Sequence, residues 1–116
     1  MRDREACLSK IAAVRDAAAD PDGAYLIRMR LKRAVLACHR AVATECGLMS
    51  PNSPGYLLPV SGSETDRRIA KLANEVLGQA ERLCQPSESL DARWKAGWTR
   101  LEVALNELET AVDVSA

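Results

Sequence analysis

Apolar positions recur at intervals of three and four residues in four separate stretches of this chain, the rhythm of helices that each bury one face. Cys7, Ile11, Val14 and Ala18 form the first stripe and predict a helix over about residues 4–19. The run Asp20-Pro21-Asp22-Gly23 ends it and opens the next, since Asp20 can cap and Pro21 suits a first helical position. A second helix is predicted over 21–46, with Ile27, Leu31, Ala34, Val35, Cys38 and Val42 on one face and Gly47 as its stop. The third, over 64–85, carries Ile69, Leu72, Ala73, Val76, Ala80 and Leu83, with Ser63 and Asp66 resembling a capping box. The fourth, over 88–113 after a cap at Ser87 or Ser89, repeats Leu90, Trp94, Trp98, Leu101, Leu105, Leu108 and Val112. That last stripe is close to a heptad pattern and spans ~36 Å at 1.5 Å per residue.

Between the second and third helices, residues 47–62 contain three Pro and three Gly and cannot be regular helix. The same stretch carries Tyr56, Leu57 and Leu58, so it is expected to lie across a hydrophobic surface. It divides the chain into two helical hairpins, and the predicted architecture is a single-domain, all-α four-helix bundle over residues 1–116.

Composition supports helices and thins the core. Nineteen of 116 residues are Ala, there is no Phe, and the aromatic set is Tyr25, Tyr56, Trp94 and Trp98. Alanine faces bury little area per contact; close helix packing or a homodimer would make up the difference, and a homodimer is expected. The exceptionally apolar stripe of Trp94, Trp98, Leu101, Leu105 and Leu108 is the expected association surface of such a dimer. No run approaches the length of a membrane span, and the charged N-terminal stretch lacks the apolar core of a secretory signal. A soluble, cytoplasmic protein is expected.

Sixteen Lys and Arg balance sixteen Asp and Glu, but the balance is not local. Arg28, Arg30, Lys32, Arg33 and Arg40 occupy the second helix with no acidic residue among them, whereas Glu102, Glu107, Glu109 and Asp113 load the end of the fourth. One reading is that these opposite blocks pair within the chain or across a dimer. The other is that the basic helix contacts phosphate or an acidic partner.

The chemistry-bearing residues are few. Cys7, Cys38, Cys46 and Cys84 have no CxxC spacing and lie on or beside apolar faces, which predicts reduced core thiols and no metal. His39 is the only histidine, and as a neighbour of Cys38 it points about 100° away around the helix, poorly placed for a shared metal. Neither a Gly-x-Ser-x-Gly elbow nor a glycine-rich phosphate loop occurs. The run Arg33-Ala34-Val35-Leu36-Ala37-Cys38-His39 is similar to the short Arg…His signature of HEPN-domain ribonucleases, small four-helix proteins that dimerise. That resemblance implies an RNA-cleaving site in which Arg33 stabilises phosphate charge and His39 aids proton transfer. The residues themselves favour a non-enzymatic protein–protein interaction protein without a cofactor. It would serve as an adaptor, inhibitor or accessory factor of the kind found in bacteria and their mobile elements, phages included. A nucleic-acid-binding regulator using residues 28–40 is the alternative.

Overall fold

The computed structural model describes residues 3–18, 23–46, 64–84 and 90–114, with side chains placed for 3–18, 27–45, 64–84 and 96–114. All four described elements are α-helices: α1 (Arg4–Ala18), α2 (Gly23–Cys46), α3 (Glu64–Leu83) and α4 (Leu90–Asp113). The connection 47–62 with Tyr56, Leu57 and Leu58 lies outside the described residues, as do the caps expected at Asp20, Ser63, Ser87 and Ser89.

Local chemistry explains the helix ends that are described. Asp3 Oδ1 accepts the Ala6 N–H at 3.0 Å, satisfying one of the donors that the first turn of α1 leaves without a partner. Glu64 and Asp66 sit in the first turn of α3 and Arg82 in its last, each matched in sign to the helix dipole. The α3 ladder continues one bond past Leu83, with the Cys84 N–H donating to the Ala80 carbonyl at 2.9 Å.

The helices form two hairpins, α1 with α2 and α3 with α4, joined along the α2–α3 and α1–α4 seams into a four-helix bundle. The ring order is therefore α1, α2, α3, α4, and α2 and α4 stand at opposite corners. Cross-helix contacts fix antiparallel neighbours. Arg28 near the start of α2 meets Cys84 at the end of α3, whereas His39, eleven residues on, meets Asn74, ten residues back. Arg4 at the start of α1 reaches Asp113 at the end of α4.

Each stripe predicted from periodicity supplies the core. Ile11 and Val14, Leu31 and Val35, Ile69 and Val76, and Leu101, Leu105, Leu108 and Val112 are all essentially inaccessible. Ala43, Ala70, Ala73, Ala80, Ala104 and Ala111 are buried beside them. Small side chains let neighbouring helix backbones approach, so close packing compensates for the missing bulk. Gly97 is the extreme case: a Cβ built there would stand 2.6 Å from Leu83 Cδ1, so α4 and the end of α3 meet with no room for a methyl group unless Leu83 shifts.

Gly78 on α3 behaves differently, since a Cβ built there meets nothing within 4 Å. Gly78→Ala should therefore raise stability by about 0.5–1 kcal/mol, the helix-propensity gain without a steric penalty. Urea unfolding measures it, and a loss of stability would mean that this stretch of α3 is not free helix surface.

Candidate functional site

The largest apolar stripe is not a surface. Leu101, Leu105 and Leu108 are fully buried against the other helices of the same chain, and Trp98 is partly buried and packed on that core. The side chain of Trp94 lies outside the described residues. For Leu101, Leu105 and Leu108 the expectation of an exposed association face, made with Trp94 and Trp98, is corrected on this ground: a helix at a bundle corner turns its apolar stripe inward, here against α1 and α3.

The expected pairing of the basic helix with the acidic helix within one chain also gives way to the ring order. Being diagonal, α2 and α4 are not neighbours. The acidic end of α4 is matched by α1 instead. Arg15 Nη1 donates to Glu109 Oε2 at 2.6 Å while its Nη2 donates to Asn106 Oδ1 at 2.6 Å, and Arg4 Nη1 donates to the Asp113 carbonyl at 3.1 Å. Arg15 and Glu109 are about a third and two-fifths exposed, so this pair fixes the α1–α4 seam more than it strengthens it.

The five cations of α2 divide into two groups. Arg28 is part-buried toward α3, where its carbonyl accepts from Cys84 Sγ at 3.6 Å, and its buried Nε has no hydrogen-bond partner among the described residues. Arg30, Lys32, Arg33 and Arg40 are exposed. Among the exposed side chains are two large apolar ones, Met29 at 41% and Leu36 at 42%. At 100° per residue, Met29, Arg33, Leu36 and Arg40 fall within an arc of about 60°, on the far side of α2 from Leu31, Cys38 and Val42. The outer face of α2 is thus a stripe in which apolar and guanidinium groups alternate. Among the described residues neither Arg33 nor Arg40 forms an ion pair.

Arg33 and His39 do not share a site. Six residues of helix separate their directions by about 120°. Arg33 is exposed, whereas His39 is 8% exposed in the α2–α3 seam with Nε2 2.8 Å from Asn74 Oδ1. The Arg…His spacing marks two faces of one helix, an outer and an inner one.

The described thiols lie inside or at the edge of the core. Cys7 and Cys38 are buried thiols outside any disulfide, and Cys84 is a half-buried one; the side chain of Cys46 lies outside the described residues. Among the described residues no three His, Cys, Asp or Glu side chains gather in a way that could hold a metal ion. Burial, with a smaller contribution from neighbouring Cys7, pushes the Cys38 thiol up from 9.0 to about 12. Burial also raises Cys84, against the opposing effect of Lys32 and then Arg28.

The Cys38 shift has a measurable consequence. The unfolded chain releases this proton near pH 9.0 and the folded chain near pH 12, so the folded form binds more protons between those values. Its contribution to stability is complete below the unfolded value and is lost as pH rises through that window, with a slope of up to about 1.4 kcal/mol per pH unit. Wild type should lose stability more steeply than Cys38→Ala above about pH 9. Parallel pH profiles from urea unfolding would contradict the buried thiol.

No described helix is long and apolar enough to cross a membrane. No family model matches the chain, and no curated protein or solved structure matches it either.

Proposed function

We propose that this is a non-enzymatic helical interaction protein whose working surface is the outer face of α2, and that its partner is an acidic protein surface. The observation that carries this reading is the alternation of Met29 and Leu36 with Arg33 and Arg40 on one exposed arc. Arginine and methionine are the cation and the flexible apolar side chain most favoured at protein interfaces, and arginine is among the usual energetic anchors. Phosphate backbones are bound by cations and hydrogen-bond donors, for which Met29 and Leu36 offer nothing. A protein partner with carboxylates and aliphatic groups satisfies both halves of the stripe.

The test is a photo-crosslinking residue placed at Leu36, which is exposed enough to be replaced without disturbing the core. In the native host it should give a discrete adduct that protease removes and nuclease does not. Arg33→Glu combined with Arg40→Glu should abolish that adduct with the helical content unchanged. A nuclease-sensitive adduct would transfer the surface to nucleic acid, and the absence of any adduct would remove the proposal.

A further inference from the structure

Another exposed stripe stands at the opposite corner of the bundle. Val103 on α4 is 53% exposed, Val114, one residue past the end of α4 with its N–H still bonded to the Thr110 carbonyl, is 73% exposed, and Glu107 and Thr110 are exposed between them. Residues 103, 107, 110 and 114 have the same spacing of four, three and four as 29, 33, 36 and 40 on α2, so they also fall within an arc of about 60°. One stripe reads Met, Arg, Leu, Arg and the other Val, Glu, Thr, Val. The two are complementary: aliphatic groups occur on both, the cations Arg33 and Arg40 on one, and the Glu107 carboxylate on the other. Among the described residues Glu107 forms no ion pair, in contrast to Glu109 and Asp113, which α1 engages. The stripes cannot satisfy each other within one chain because α2 and α4 are diagonal.

We infer that the partner of the α2 face is the α4 outer face of a second copy of this chain, docked through Met29, Arg33, Leu36 and Arg40 on one copy and Val103, Glu107 and Val114 on the other. This inference rests on the interaction reading of α2 given above. Its geometry has a further consequence. A two-fold pair needs the same patch on both copies, and here like would meet like: Arg33 and Arg40 would face their own equivalents. The complementary patches point in opposite directions from the bundle, so a two-fold axis cannot bring both contacts together. The contact is heterologous, and each copy that docks leaves a free α2 face at one end and a free α4 face at the other. Association is then a row open at both ends. With four apolar side chains and a single carboxylate facing two guanidinium groups it is weak and reversible, and added salt reverses it.

The test is sedimentation velocity on the full chain over a hundredfold range of concentration at low salt. Wild type should exceed two copies in average mass at the highest concentration and return to one copy in high salt. Arg33→Glu/Arg40→Glu and Val103→Gln/Glu107→Gln should each remain at one copy with unchanged circular dichroism, since every altered position is exposed. Mixed in equal amounts, the first variant contributes an intact α4 face and the second an intact α2 face, so the mixture should assemble to one-to-one pairs and stop. Wild type that stays at one copy throughout, or a closed dimer that both variants still form, would overturn the inference. In the first case an intact Leu36 adduct with another protein in the host would leave the α2 reading standing. Loss of both would remove the two together.

Discussion

Leu105→Ala is expected to destabilise the protein by about 3–5 kcal/mol, a large part of the stability of any domain this size. Leu105 is fully buried near the centre of α4, with Leu101, Leu108 and Val112 around it on the same face. Truncation removes the transfer energy of the lost methyl groups and leaves a cavity that four rigid helices close only in part. Leu105→Glu goes further, since a carboxylate placed there has no cation within the core and no water. It should abolish cooperative unfolding and most of the helical circular dichroism signal. A folded, helical Leu105→Glu protein would mean that the stripe 101–108 faces outward, contrary to the bundle described here.

The second large effect is expected in the α2–α3 seam. His39 Nε2 and Asn74 Oδ1 are 2.8 Å apart and form a donor–acceptor pair when the ring carries its proton on Nε2. His39 is the one polar side chain among the buried described residues, so its ring has little water to fall back on. Asn74→Ala should cost about 1–3 kcal/mol, because the imidazole remains buried and loses its cross-helix acceptor. His39→Leu restores apolar contact at the same place, so the double variant His39→Leu/Asn74→Ala should lose less than the two single losses combined. A double-mutant cycle by urea unfolding reads the difference directly. Additive single losses, or losses below about 0.5 kcal/mol, would show that the two side chains do not interact.

Much of this architecture is legible in the sequence because a helix at a bundle corner needs only one apolar stripe. The positions Cys7, Ile11 and Val14, or Ile69, Leu72, Ala73 and Val76, announce their helices and their buried faces by period alone. What period cannot convey is how wide the buried face becomes. Ala70 and Leu77 on α3 flank the main stripe and are also buried, because α3 packs on both α2 and α4. The same blindness misplaces the α4 stripe. Its density of Leu and Trp suggests more apolar surface than alanine-rich partners can cover, yet small partners approach closely enough to bury Leu101, Leu105 and Leu108 entirely.

The polar contacts were out of reach for a different reason. Arg15 and Glu109 are 94 positions apart, and nothing in their local sequence distinguishes them from other surface charges. They meet only because the ring order places α1 beside α4, which also separates basic α2 from acidic α4. Candidate residues 28–40 were visible as a block of positive charge, but the block mixes an inward Arg28 with outward Arg33 and Arg40. Met29 and Leu36 carry no charge signal, and the sequence marks them only as large apolar residues opposite the buried stripe.

The central claim, that the outer arc of α2 is where this protein meets its partner, predicts a spatial pattern of contact. A photo-crosslinking residue can be walked one site at a time through exposed positions on three helices: Met29, Arg33, Leu36 and Arg40 on α2, Ser9 and Ala12 on α1, and Lys71 and Glu75 on α3. Capture in the native host should be strong at Met29 and Leu36, weaker where the probe replaces Arg33 or Arg40 itself, and absent from the α1 and α3 sites. Equal capture around the bundle, or capture confined to α1 or α3, would contradict the assignment of the surface to α2.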